Sequence, residues 1–240
     1  MRVYRGRAGS PEADRAATER LVDAVAESEE PALRVWTPHQ QVAFGRRDAN
    51  AEGYDRAKTV ALEHGYAVTE RAVGGHAVVF TGTTVAFARA VPIDDPRSGI
   101  QDRYEHALET LTSALGNLDI AVSQDEPDGA FCPGTHSLSA GGKIVGIAQR
   151  VSRQVATVAG IVIVDDEEAI AGVLEPIYEA LGVPFDPKSV GSIASAGGNA
   201  SPETVIGTIE ERFAGDDPPV EQVVERVQDS PRDSRTVRDT

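Results

Sequence analysis

The chain has 240 residues, of which 40% are hydrophobic and only 5% aromatic, so its core must be built mainly from aliphatic side chains. The 23 basic and 38 acidic residues give a formal net charge of −15, which argues against electrostatic binding to nucleic acid or to an anionic membrane. The single cysteine, Cys132, excludes both an internal disulfide and a zinc site with several cysteines. An acidic surface poor in lysine is typical of adaptation to high salt, where screening removes the repulsion between carboxylates.

The first half of the chain predicts helices and short strands in alternation. In chain order we expect a helix at 11–29, strands at 32–38 and 41–45, a helix at 50–65, a strand at 66–73 and a hairpin at 76–92. Ser10 and Asn50 are the expected N-caps of the two helices, and Gly65 is the expected end of the second. Gly82 is the expected turn of the hairpin.

The second half continues the same mixture. In chain order we expect a helix at 98–115, a strand at 120–124, a hairpin at 135–151, a strand at 155–164 and helices at 166–182 and 201–215. The helix at 98–115 should bury one stripe of side chains, made of Ile100, Tyr104, Leu108, Leu111 and Leu115. The nearly continuous apolar run 155–164 should be covered on both faces. The charged segment 216–240 is expected to be a disordered tail. Because no regular βαβ repeat is visible, these elements predict an α+β fold with a mixed sheet.

Three clusters of residues could carry chemistry, and the first is a basic residue followed by paired glycines. In the segment 71–79, Arg71 is followed by Gly74 and Gly75 and then by an apolar strand. Glycines at such a turn expose backbone N–H groups, which could form a cradle for a carboxylate, an acyl group or a phosphate. The alternative is that the two glycines only permit a tight turn.

The second cluster is the loop 131–134, which contains Cys132 between a phenylalanine and a Pro-Gly pair. Cys132 could be a nucleophile or an inert small apolar residue. An ordinary free thiol is only about 3% ionised at pH 7, so a nucleophile would need a cation nearby. His136 is one candidate partner and Lys143 is another.

The third cluster is the start of the strand that follows the turn at Gly141 and Gly142. Lys143 is one of only three lysines in the chain, and a compact ammonium can bind a single oxygen atom. Gly146 and Ala148 leave one face of this strand nearly bare, so it could admit a flat or extended ligand. The alternative is an ordinary surface hairpin with a lysine on it.

Together, the three clusters resemble the biotin/lipoate A/B protein ligase superfamily over about residues 15–210. The segment 71–92 resembles its lipoate-binding loop, 143–150 resembles its lysine-containing strand, and 34–50 is similar to its early strand pair and Gly-Arg turn. The resemblance implies a mixed, largely antiparallel β-sheet flanked by helices, with one catalytic domain over residues 1–215.

Within that superfamily, the segment 131–151 is most similar to the cysteine-dependent octanoyl-[GcvH]:protein N-octanoyltransferase branch. This resemblance implies that Cys132 forms an acyl thioester, while Lys143 lowers the pKa of the thiol and orients the acyl carbonyl. It further implies a set of acyl-binding residues, namely Arg71, Gly74, Gly75, His76, Ala77, Val78, Gly146 and Ala148. Val78, Val79, Gly146 and Ala148 are expected to line an apolar slot for the acyl chain.

The implied partners are lipoyl-domain proteins, namely the glycine cleavage H protein and the E2 subunits of 2-oxoacid dehydrogenases. Transfer would require no cofactor. The alternative is a lipoate–protein ligase that uses ATP and magnesium to form an acyl-adenylate, with an accessory domain that we do not expect after residue 215. His76, in place of the third glycine of the ligase pattern, favours the transferase. A non-catalytic carrier-binding module is a third possibility.

We expect a cytoplasmic protein with no nucleic-acid or membrane partner. The N-terminal residues lack the apolar segment of a secretory signal. The apolar run 155–164 is about half the length needed to cross a bilayer.

Overall fold

The computed structural model describes residues 1–71, 74–152, 154–215 and 220–224, which form five α-helices and ten β-strands. The helices are α1 (Pro11–Ser28), α2 (Tyr54–Glu63), α3 (Ile100–Gly116), α4 (Glu167–Leu181) and α5 (Pro202–Ala214). The strands are β1 (Arg2–Arg5), β2 (Ala32–Trp36), β3 (Gln41–Phe44), β4 (Ala67–Glu70), β5 (Val78–Phe80), β6 (Val85–Pro92), β7 (Ser137–Ser139), β8 (Lys143–Ser152), β9 (Val155–Val162) and β10 (Val220–Val223).

The strands form two sheets. The large sheet has the order β10-β1-β2-β6-β9-β8-β7, in which β10, β1 and β2 run parallel and the other neighbours are antiparallel. The small sheet has the order β4-β3-β5, with one parallel and one antiparallel pair. The predicted α+β class, with a mixed and largely antiparallel sheet flanked by helices, is confirmed.

Two main clusters of buried apolar residues lie on opposite faces of the large sheet. One contains Leu111 of α3 and Ile209 of α5, packed with Val145 and other residues of the sheet. The other contains side chains of α2, α4 and the small sheet, such as Leu174, together with Ile161 of β9. Because successive side chains of a strand point to opposite faces of the sheet, β9 contributes residues to both clusters.

The predicted helices form, but some details differ. Ser10 and Ser201 are N-caps as expected, and each hydroxyl accepts a backbone N–H bond at 3.2 Å. Asn50 is not an N-cap, because it lies in a separate 3-10 turn (Asp48–Asn50) and α2 starts after Gly53. A Cβ at Gly53 would lie 1.7 Å from the Ala180 carbonyl oxygen, so only glycine fits there against α4.

The buried stripe of α3 also differs from the expected one. Ile100 is the first residue of the helix and is 45% exposed. Tyr104 is half-buried. Ala107 and Ala114 complete the stripe with the three predicted leucines.

Two predicted strand features are wrong. The segment 76–92 is not a hairpin, because β5 pairs in the small sheet and β6 pairs in the large one. The turn between them is closed by a hydrogen bond from Thr81 N–H to Thr84 Oγ1 at 3.0 Å, and it carries the chain from one sheet to the other. The segment 120–124 forms only a single bridge between Ser123 and Ser139, where a bulge in β7 interrupts the register. The hairpin at 135–151 forms as β7 and β8.

The segment 216–240 was expected to be disordered, and four of its residues do not fit that prediction. Val220–Val223 is a strand that pairs in parallel with β1 at the edge of the large sheet. Residues 216–219 and 225–240 lie outside the described residues. Within the described ranges, no helix is long and apolar enough to span a membrane.

Candidate active site

A cavity of about 880 Å³ lies between the two sheets, with α1 along one side. Its floor is a face of the large sheet on which most side chains at the centre are small. Gly146 of β8 pairs with Ile161 of β9, and Ala148 pairs with Ala159. All four of these residues line the cavity. The expectation that β9 is covered on both faces is confirmed for this face at Val155 and Ile161, which are buried, and Ala159 between them is half-buried because it lines the cavity.

The wall opposite the floor comes from the small sheet. Val78 and Phe80 of β5 point into the cavity. Val79 lies between them in sequence, so strand alternation turns it away, and it packs in the core with Val42. The prediction that Val79 lines the acyl slot is therefore wrong.

Cys132 lies at the cavity and is held in an unusual backbone conformation, with φ of 41°. Its N–H donates a 2.6 Å hydrogen bond to the hydroxyl of Tyr178 on α4. That hydroxyl donates in turn to the Ala77 carbonyl at 3.0 Å. Burial raises the pKa of Tyr178 well above its usual value, so the hydroxyl keeps the proton that it donates. Tyr178 thus ties the cysteine loop to the loop before β5.

The sulfur atom of Cys132 has two close neighbours from the Gly-Gly cluster. Nη2 of Arg71 lies 3.7 Å from Sγ. A Cβ at Gly75 would lie 2.6 Å from Sγ, so the sulfur rests directly on the bare backbone of this residue. Gly75 also has φ of +92°, a conformation that favours glycine.

Lys143 is only 2% exposed, and its ammonium makes three hydrogen bonds. It donates to Glu126 Oε1 at 2.8 Å and to the carbonyls of Phe131 and Cys132 at 3.1 Å each. The two predicted catalytic residues, Cys132 and Lys143, are therefore in contact. Lys143 contacts the backbone carbonyl of Cys132. The cation that contacts the sulfur atom is Arg71.

The loop that contains the paired glycines is held by a hydrogen bond to the carboxylate of Asp48, a residue that the sequence analysis did not identify. His76 Nδ1 lies 2.8 Å from Asp48 Oδ1, and Asp48 Oδ2 accepts the Gly45 N–H at 2.9 Å. A Cβ at Gly45 would lie only 2.1 Å from the Gly75 carbonyl oxygen, so these two backbones are in direct contact. Gly74, Gly75, His76 and Ala77 shape this loop and are not among the cavity-lining residues of the described chain.

His136, the rival partner proposed for the thiol, is engaged elsewhere. Its ring stacks on Tyr104 with a centroid distance of 3.7 Å, and Nδ1 lies 3.1 Å from Thr135 Oγ1. The structure therefore does not pair His136 with Cys132. Burial lowers the pKa of His136.

The model of the lipoyl protein ligase A/B catalytic domain matches residues 10–214. The chain belongs to this family. The lipoyl protein ligase fold is also seen in a crystal structure of lipoate-protein ligase A bound with ATP, with a TM-score of 0.72 at 18% identity over 89% of this chain and 83% of that one. A bipartite lipoate protein ligase from Thermoplasma acidophilum has a TM-score of 0.64 at 15% identity over 89% of this chain and 82% of that one. At these identities the likeness concerns the fold alone.

Curated members of the family give closer sequence matches over shorter segments. An octanoyl-[GcvH]:protein N-octanoyltransferase of Geobacillus kaustophilus is 30% identical over 49% of this chain and 42% of its own length. A lipoyl-[GcvH]:protein N-lipoyltransferase of Listeria monocytogenes is 24% identical over 62% of this chain and 55% of its own length. The chain thus spans about half the length of the curated relatives that it matches.

Proposed function

We propose that the chain is an acyltransferase that moves an octanoyl or lipoyl group from a carrier protein, through a thioester on Cys132, to a lysine of a lipoyl domain. The observation that carries this proposal is the position of the only thiol, which lies at an apolar cavity in contact with a guanidinium. The names of the relatives support an octanoyl or lipoyl group as the cargo and the glycine cleavage H protein as a carrier. The E2 subunits of 2-oxoacid dehydrogenases are further proposed acceptors.

The cavity fits an uncharged acyl chain. Its floor at Gly146 and Ala148 is small and apolar, and Val78 faces it across the cavity. Burial of about seven methylene and methyl groups at roughly 0.8 kcal/mol each offers about 5–6 kcal/mol, which is enough for recognition without charges. The proposed acyl slot therefore keeps Val78, Gly146 and Ala148 but not Val79.

The proposed reaction has two steps. The Cys132 thiolate attacks the acyl carbonyl, and the amine or thiol of the carrier leaves with a proton as the thioester forms. The neutral amine of the target lysine then attacks the thioester, so that an amide forms and the thiolate is released. No nucleotide takes part in either step.

The test is the mass of the protein after incubation with octanoylated glycine cleavage H protein, with and without ATP. The proposal expects an added octanoyl group on Cys132 without ATP, and no adduct or transfer with Cys132→Ala. A fully active Cys132→Ala protein that requires ATP and free lipoate would establish the ligase alternative instead. Binding of the carrier with no turnover under either condition would point to a non-catalytic module.

The expected cytoplasmic location and adaptation to high salt stay predictions, as does the absence of nucleic-acid and membrane partners.

A further inference from the structure

We propose that Gln41 is a specificity-determining residue, which makes the acyl slot prefer a lipoyl group to an octanoyl group. The two groups share the same eight-carbon chain, but the lipoyl group carries two sulfur atoms in a dithiolane ring at its far end. The inference rests on the proposed function, because it concerns the cargo of the same cavity. It can also be tested by ligand binding alone, without any transfer step.

Gln41 is a buried polar residue in an otherwise apolar part of the cavity wall. It is the first residue of β3 and is only 9% exposed. Strand pairing places it opposite Phe80, while Ala43, two positions further along β3, lies opposite Val78. All four side chains line the cavity, because alternate residues of a strand point to the same face. An acyl chain that lies along Val78 and Phe80 therefore passes the amide of Gln41.

Gln41 lies at the end of the slot that is far from Cys132. The sulfur rests on Gly75, whose carbonyl is in contact with Gly45, the residue directly after β3. Gln41 is four positions before Gly45, a separation that a strand spans in about 13 Å. An acyl chain of eight carbons on the sulfur reaches about 10 Å, since three bonds of an extended chain span roughly 3.5 Å. The last carbons of the chain therefore come within reach of the Gln41 side chain.

The amide of Gln41 is held at one end and available at the other. Its Oε1 accepts a 2.8 Å hydrogen bond from the hydroxyl of Thr69 on β4. Thr69 is the strand partner of Ala43, so the amide leans along the small sheet toward Cys132. The amide nitrogen has two N–H donors, and neither has an acceptor within the described residues. A ligand in the cavity can supply that acceptor.

A saturated chain leaves these donors without a partner, whereas a dithiolane pairs with them. The end of an octanoyl group would displace water from the amide nitrogen without replacing the hydrogen bond, which is unfavourable for a buried donor. Sulfur is a soft and weak acceptor, so the dithiolane gives the donors a partner. A typical net hydrogen bond corresponds to a factor of roughly 2 to 13 in affinity. We therefore expect a preference of about fivefold for the lipoyl group.

The test is a competition between lipoylated and octanoylated glycine cleavage H protein at equal concentration, with the first-turnover adducts on Cys132 counted by mass spectrometry. The wild type should form about five lipoyl adducts for each octanoyl adduct. Gln41→Leu puts an apolar group of similar size in the wall, so it should fold and lose the preference. Thr69→Val removes the hydrogen bond that holds the amide and should give an intermediate ratio. Gln40→Leu makes the same change at the exposed neighbouring position and should keep the wild-type ratio.

Calorimetric titration of the protein with free lipoate and with free octanoate is the second measurement, and we expect the same ratio between the two dissociation constants. Equal or tighter binding of octanoate by the wild type would overturn the proposal, as would an unchanged ratio in Gln41→Leu. A wild type that forms no adduct on Cys132 but prefers lipoate through Gln41 would refute the acyltransferase function and leave the specificity of the slot intact. Acylation of Cys132 without any preference would do the reverse.

Discussion

Replacement of Gly75 by alanine tests whether the sulfur of Cys132 needs a neighbour without a side chain. The added Cβ would lie 2.6 Å from Sγ, whereas ordinary contacts begin near 3.4 Å, so the two atoms must separate by about 0.8 Å. The loop cannot retreat easily, because the Gly75 carbonyl is in contact with the backbone of Gly45. We therefore expect the sulfur to move rather than the loop.

The size of the effect follows from two contributions. A side chain at φ of +92° costs about 1–2 kcal/mol, which should lower Tm by roughly 2–8 °C in a chain of this size. Displacement of a reacting atom by nearly 1 Å can reduce the rate by about a hundredfold. Gly75→Ala should therefore remain folded at moderate temperature but acylate Cys132 about a hundredfold more slowly.

The adjacent glycine provides the matched control. Among the described residues, nothing would lie within 4 Å of a Cβ at Gly74, and the backbone there does not have a left-handed φ. Calorimetry and single-turnover acylation on Gly74→Ala should therefore give values close to those of the wild type. If Gly75→Ala acylates as fast as the wild type, or if both variants lose the same activity, the sulfur does not depend on the space at Gly75.

Two further predictions concern stability. Lys143→Met leaves the Glu126 carboxylate without its cation and two carbonyls without a donor, so it should cost about 3–5 kcal/mol in urea unfolding. Lys58→Met, which breaks an exposed ion pair, should cost less than about 1 kcal/mol, and equal losses would contradict the role of Lys143. Burial raises the pKa of both Tyr178 and Tyr54, so above about pH 10 the unfolded chain releases protons first and stability should fall as pH rises. The urea midpoint measured against pH checks this, and a midpoint that is flat or rises above pH 10 would refute it.

The sequence best predicts structural features that depend on interactions between residues close together in the chain. The N-caps Ser10 and Ser201 are correct because a capping hydroxyl acts within one helical turn. The expected hairpin at 76–92 is wrong because two consecutive strands can each find a better partner elsewhere in the chain. Here β5 pairs with β3 and β6 pairs with β2 and β9, and no local pattern distinguishes this arrangement from a hairpin.

The candidate site shows the same division. Cys132 and Lys143 lie 11 residues apart on either side of a turn, but the turn alone does not bring them together, and the contact forms because the loop 131–134 folds over the start of β8. Arg71 is 61 positions from Cys132, and only the packing of the two sheets brings its guanidinium to the sulfur. Asp48 and Tyr178 lack even a motif, since each is a single residue that reaches the site from a 3-10 turn or from a helix.

Absent side chains are as important to this site as the reactive groups. The sulfur of Cys132 rests on Gly75, and a Cβ at Gly146 would lie 3.0 Å from Cε of Lys143, so the stem of that lysine also lies against bare backbone. Gly75, which from sequence could belong to a cradle for an anion, therefore provides space for a nucleophile. A Gly-Gly pair alone cannot distinguish these two uses. The use as space for a nucleophile is identified here by the residue that contacts Gly75. This residue is Cys132, which comes from a loop far along the chain.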